Sequence, residues 1–181
     1  MPCFENIEKN KENFPMTYEK TLNLVLRHEI RRYNRLIHTV KTSIELVREL
    51  FKKGKIVERD WKKFCQDLLE EKIPERWQRV SFPCLKSLNG WIGELKRRVN
   101  FFQKWIDFGV PATFDLNAFL FPQGFLTAVL QSYSRKNSVA VENLSFKVNV
   151  MKRSDQEEIE EGPENGVYIR GLSLEGARWD I

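Results

Sequence analysis

The chain has no glycine-rich phosphate cradle. Neither GxxxxGK[ST] nor GxGxxG occurs, so neither kind of nucleotide-binding turn is expected within it. Histidine is nearly missing. His28 and His38 stand ten residues apart on a helical stretch, a spacing that turns them about 80° from each other and roughly 15 Å apart, too far to share a metal ion. The three cysteines, Cys3, Cys65 and Cys84, are isolated and odd in number, with no CxxC pair and no disulfide framework, which fits a reducing compartment. Cys65 falls on an apolar helix face beside Trp61, Leu68 and Leu69, where an inert thiol is expected, and Cys84, in FPCLK, has no histidine near it in sequence. GWIGE is not a nucleophile elbow, because it lacks GxSxG. Glu70 and Glu71, and the acids from Glu157 to Glu161, read as solvated charge on a helix end and in a loop. These absences lead us to expect no catalytic residue, no cofactor and no metal site in this protein.

No apolar run approaches the roughly 18 residues of a membrane helix, and no membrane partner is expected. The opening MPCFENIEKN has neither the charged start nor the apolar core of a signal peptide, so an intracellular protein is the expectation.

What is present is a globular composition: 181 residues, 41% hydrophobic and 12% aromatic, with 13 Phe and 5 Trp to fill interfaces between elements. Thirty Lys and Arg against 25 Asp and Glu leave a net charge of +5. That modest excess is compatible with an acidic partner without requiring one.

Apolar residues recurring every three or four positions from Leu22 to Phe51 predict one long helix over Thr17 to Lys53, with Gly54 ending it. At 1.5 Å per residue it forms a rod of roughly 50 Å, long enough to lie along a neighbour. A second helix is expected from about Glu58 to Glu71, stopped by Pro74. ERWQRVSFP should make a short turn and an extended link, and a third helix should span about Leu88 to Phe108, closed by Gly109 and Pro111. The pattern then changes. ATFDLNAFLF reads as strand, Pro122 opens a helix to about Lys136, and LSFKVNVMK alternates as a half-buried strand. An acidic loop, SDQEEIEEGPENG, leads to VYIRGLSLEGARWDI, expected to hold one or two strands.

The fold class expected is α+β. A helical part precedes a strand-rich part that forms an incomplete antiparallel β-sheet or barrel with one intervening helix. The expected divisions are 1–16 as an N-terminal extension, 17–110 as the helical part and 111–181 as the β-rich part. So few strands, ending at Ile181, suggest a sheet cut short at its C-terminal end.

Basic clusters interleave with aromatics in RRYNR (Arg31 to Arg35), FKKGK (Lys52 to Lys55) and KRRVNFFQK (Lys96 to Lys104). Each lies on an amphipathic helix or at its end, where a solvated face is the plain explanation. An acidic protein surface is the next.

Four blocks, in order, resemble the C-terminal region of dynein heavy chains. YEKTLNLVLRHEIRRYNRLI is similar to that family's YExSxNxVLxQExxRxNxLL helix, and IPERWQRVSFPCLKSLNGWIGELKRRVNFFQKWIDFGVP to its PxxWxxxSYPSLKPLGxWVxDLxxRxxFLxxWxxxGxP. FDLNAFLFPQGFLTAVLQSYSRK resembles FWLSGFFFPQGFLTxxxQxxARK, and PENGVYIRGLSLEGARWD resembles PxxGVYxxGLxLEGARWD. The resemblance runs from Phe14 to Asp180, and FPQGFLT with EGARWD points to the axonemal type. Asp115, Asn117 and Ala118 depart from the block, which tends to have tryptophan, serine and glycine there. Family members also continue past EGARWD with further strands, in keeping with the expected cut sheet.

The resemblance implies a role that composition does not. Dynein heavy chains are ATP-driven, minus-end-directed microtubule motors built on a ring of six AAA modules. Their C-terminal region follows the sixth module and lies across one face of the ring as a brace, without a nucleotide or microtubule site of its own. ATP and magnesium would belong to the parent motor. The implied partners are the AAA modules of the same heavy chain and, through the parent, microtubules and other dynein subunits, with no direct nucleic acid. The implied location is cytoplasmic and cytoskeletal, in the axoneme of a cilium or flagellum. The residues expected to pack or to interact are Trp77, Trp91, Trp105, Phe119, Phe121, Pro122, Gln123, Gly124, Phe125 and Trp179. The competing expectation is a free-standing basic module for an acidic partner, nucleic acid or a tubulin tail, which requires Arg31, Arg32, Arg35, Lys96, Arg97 and Arg98 to converge on one face.

Overall fold

A computed structural model describes residues 21–53, 59–151, 159 and 161–171. Five helices and two short strands follow one another: α1 (Thr21–Lys52), α2 (Arg59–Leu69), α3 (Glu75–Gln78), α4 (Leu88–Phe108), β1 (Thr113–Asp115), α5 (Pro122–Asn137) and β2 (Tyr168–Arg170). Single 3₁₀ turns occupy Leu116–Ala118 and Val141–Asn143.

Helix α1 buries the stripe Leu26, Ile30, Tyr33, Leu36, Ile37 and Val40. Their three- and four-residue spacing places them on one side, against α3, α4 and above all α5. Helix α2 buries Phe64, and the backbone turns out of it through a left-handed Glu71 (φ 55°), with Lys72 N–H donating back to the Asp67 carbonyl at 2.8 Å. Helix α4 is capped by Ser87, whose hydroxyl accepts from Gly90 N–H, and it ends at Gly109 (φ 90°). Its buried residues Trp91, Leu95, Val99, Phe102 and Trp105 form the spine of the molecule. One continuous apolar cluster joins α1, α4 and α5, from Leu26 to Val129.

The β-rich part differs from the sequence expectation in three ways. First, ATFDLNAFLF is a strand only over Thr113–Asp115. The Asp115 carboxylate accepts a hydrogen bond from Asn117 N–H at 3.1 Å, and this local capture curls the backbone into the 3₁₀ turn. Second, the sheet is parallel, not antiparallel. Thr113, Phe114 and Asp115 pair with Tyr168, Ile169 and Arg170, with α5 in the long connection that parallel pairing requires. Third, LSFKVNVMK is not a strand. Phe146, Val148 and Val150 are exposed, as are Ser145, Lys147 and Asn149 between them, and no described strand lies beside it. A period-two pattern without a neighbour to bond to does not make a ladder. The expected LSLEGARWDI strand, with Trp179, and positions 17–20 of the first helix lie outside the described residues.

Candidate functional site

The FLFPQGF joint crosses α1, and an acid fixes it there. Glu29 is 1% exposed on the apolar side of α1. Its carboxylate accepts from Leu120 N–H at 2.6 Å and Phe121 N–H at 3.1 Å, while Arg32 donates to the same group at 2.5 Å. These two amides precede Pro122, which has no N–H, so the carboxylate takes the last free donors before α5 begins. One turn further along α1, the Tyr33 hydroxyl donates to the Ala118 carbonyl at 2.6 Å. Burial pushes that hydroxyl well above its usual range, with the nearby Arg98 charge acting in the opposite direction. At the start of α1, Thr21 Oγ1 and Ser132 Oγ of α5 share a hydrogen bond of 2.5 Å.

Sequence reasoning missed Glu29. The signal was available: Glu29 falls in the stripe between Leu26 and Tyr33, where a solvated acid has no place, and it stands where the resembled helix block also has glutamate.

Pro122 is the first residue of α5 and half-buried, and Gln123 is exposed. Phe119 and Phe125 are buried and stack at 4.6 Å between ring centroids. Trp105 and Phe114 extend this cluster, each ring meeting the next within 5.3 Å. Phe121 turns the other way. It is 47% exposed, with the Arg32 guanidinium 5.2 Å from its ring centroid. Gly124 permits that position, because a Cβ there would lie 2.6 Å from Phe121 Cδ1.

Trp77 and Trp91 lie in a second aromatic group at the other end of α4, stacked at 5.5 Å. Both indole N–H groups are satisfied by serine hydroxyls, Trp77 on Ser43 and Trp91 on Ser81, each at 2.8 Å. Ser43 O–H in turn donates to the α1 carbonyls of Thr39 and Val40. Trp77, Trp91 and Trp105 are each 3% exposed or less, so their faces are spent inside the molecule.

The six cations of the acidic-partner reading do not act together. Arg32 is bound to Glu29, and Arg97 pairs with both Glu94 and Asp115. Arg98 lies flat over Phe82, 3.8 Å from the ring centroid, and is nearly buried. Arg31, Arg35 and Lys96 remain exposed. Glu94 takes hydrogen bonds from Lys86 at 2.7 Å and Arg97 at 2.9 Å, and these hold its carboxyl down to about 2.

An open depression of about 510 Å³ between α2, α3 and the start of α4 is lined by Lys63, Asp67, Glu71, Lys72, Glu75, Cys84 and Lys86. Lys63 and Lys72 are each tied to a carboxylate, and Cys84 has no histidine in the lining. Among the described residues, no group of three or more His, Cys, Asp and Glu side chains could hold a metal ion. The most constructed feature is therefore a packing joint.

The family model for the C-terminal domain of the dynein heavy chain matches residues 1–181. The protein belongs to this family. It is 38% identical over 181 residues to dynein axonemal heavy chain 3 of Mus musculus, a match covering 99% of this sequence and 4% of that protein. Against dynein axonemal heavy chain 1 of Homo sapiens it is 35% identical over 175 residues, 97% of this sequence and 4% of the relative. Against dynein axonemal heavy chain 12 of Homo sapiens it is 36% identical over 180 residues, 99% of this sequence and 6% of the relative. The 181 residues thus span 4–6% of the length of these curated relatives. As a dynein C-terminal domain, it has Asp115 where the family block tends to have tryptophan, and the structure gives that acid a partner in Arg97.

Proposed function

We propose that this protein is the non-catalytic C-terminal segment of an axonemal dynein heavy chain, a minus-end-directed microtubule motor of ciliary and flagellar axonemes. It packs across the AAA modules of its own heavy chain, braces them and regulates their turnover. The observation that carries this reading is the match to the family over the whole sequence, together with axonemal relatives at 35–38% identity. The joint supports it physically. An element can transmit strain between modules only if it is stiff, and the Glu29 clamp with the stacked Phe119 and Phe125 makes this one stiff where its helices meet. ATP and magnesium serve the ring of the parent motor. Microtubules and other subunits are met through that parent.

Phosphate release from ATP by the purified 181-residue protein should equal a matched blank, and release above the blank overturns the non-catalytic reading. In the full-length heavy chain, loosening the joint with Glu29→Leu should change the ATP turnover of the ring. Unchanged turnover, with the joint shown to be loosened, overturns the regulatory reading.

A further inference from the structure

We propose that the exposed face of α1 between Leu24 and Leu46 is a docking surface for an acidic protein helix. The face carries Arg27, Arg31, Arg35 and Lys41, with His28 and His38 among them, and from Leu24 to Ile44 the one acid of α1 is the buried Glu29. No described carboxylate makes an ion pair with any of these four cations, whereas Arg32 beside them is taken by Glu29. Arg27, Arg31 and Arg35 follow one another at four-residue intervals, and with His38 they fit within about 80° of helix arc. The whole row extends for roughly 21 Å.

The helix itself gains nothing from this row. Like charges at i and i+4 oppose helix formation. The helix dipole favours cations only in the last turn, where Lys52 stands, and these cations are in the middle. Glu45 and Glu49 come only after the row, and Glu49 is held by Lys52 at 3.7 Å and Lys53 at 3.3 Å. A solvated face ordinarily mixes its signs. From Arg27 to Lys41 this one is sorted, with the exposed Glu45 only at its end beside Leu46, and an external acid removes the repulsion.

The surroundings decide what kind of acid. Leu24 and Leu46, 42% and 43% exposed, bracket the row. They lie within about 40° of each other around α1 and roughly 33 Å apart. Nucleic acid has no use for two such apolar ends, and its single strands need open aromatic faces to stack on. Phe121, the exposed aromatic ring that borders the row through Arg32, has Arg32 against its ring and its edge against Gly124. A protein helix with carboxylates every fourth residue and an apolar side chain near each end matches both the charge and the ends.

The probe is a labelled helical peptide of about 22 residues, with Glu at every fourth position and Leu at both ends, titrated by fluorescence anisotropy into the 181-residue protein. Binding should weaken as salt rises. The triple variant Arg27→Gln, Arg31→Gln, Arg35→Gln should bind about tenfold more weakly or worse. Lys62→Gln with Lys104→Gln, on other exposed surfaces, should leave binding unchanged. If the triple variant loses its helical circular dichroism, Arg31→Gln with Arg35→Gln replaces it, with about a fivefold loss expected. Equal binding by these variants and the unaltered protein overturns the proposal, and so does the absence of binding. A single-stranded oligonucleotide of equal charge that binds more tightly than the peptide also overturns it, in favour of nucleic acid. None of these results depends on the motor reading.

Discussion

Replacing Glu29 with leucine removes the acceptor for two backbone amides while keeping the volume filled. Leu120 and Phe121 N–H then lose their partner in a partly covered site, at a cost of up to about 1–3 kcal/mol for each donor that water does not reach. Arg32 suffers less, because its side chain is 41% exposed and regains water. The apolar leucine recovers part of the loss by burial. The net expectation is a destabilisation of about 2–4 kcal/mol, which for a protein of this size lowers the melting temperature by roughly 10 °C. Glu29→Gln keeps one acceptor oxygen and should cost about half as much. Arg32→Ala should cost about 1–2 kcal/mol, less than Glu29→Leu, since the buried carboxylate loses its neighbouring charge but the two amides still hold it. Urea unfolding followed by helical circular dichroism gives the order, and hydrogen exchange at Leu120 and Phe121 locates it. The reasoning fails if Glu29→Leu lies within about 0.5 kcal/mol of the unaltered protein. It also fails if Arg32→Ala is as costly as Glu29→Leu, because the ion pair would then matter and the clamp on the backbone would not.

Two further tests use different parts of the structure. Gly124→Ala places a methyl group 2.6 Å from Phe121 Cδ1, but that ring is half in solvent and can swing away. The expected cost is therefore about 1 kcal/mol or less, with loss of the Phe121–Arg32 contact in nuclear Overhauser spectra; a retained contact refutes the overlap. Glu94 has a folded pKa near 2 against an ordinary value of 4.5, so its contribution is full above about pH 4.5 and is lost as pH falls toward 2. Glu94→Gln should reduce the drop in urea midpoint between about pH 5 and about pH 3, and an unchanged drop removes Glu94 from the account.

The elements that could be read from the sequence are those with local punctuation. Helix α4 runs from Leu88 to Phe108 as expected, because Gly109 and Pro111 mark its end without help from distant residues; the Ser87 cap at its start was not singled out. The start of α5 was legible because proline suits a first helical turn. The sheet was not, since pairing is a long-range choice. Alternation in LSFKVNVMK states which residues would share a face, but it does not supply the strand beside them. ATFDLNAFLF looked extended because its apolar residues are strand formers, yet one aspartate hydrogen bond two residues onward was enough to curl it. The residues of the joint were expected to pack or to interact, and of its phenylalanines Phe119 and Phe125 are buried while Phe121 is exposed. What fastens the joint was not legible, because Glu29 lies roughly 90 residues away in sequence and belongs to a helix that reads well without it.

Among the described residues, strand β2 bonds to β1 through three residue pairs, across a connection of roughly 50 residues. Closing a loop of that length costs on the order of 3–4 kcal/mol in chain entropy before any bond is made. Three short rungs return little more than this. Gly171, just after β2, meets the Asp115 and Asn117 side chains so closely that a Cβ would overlap both, which gives the last described rung a snug seat. The described pair is thus a latch engaged at small net gain, helped by Val167 and Ile169 where they pack against the aromatic core. It should fasten last when the protein folds and release first when it is pulled.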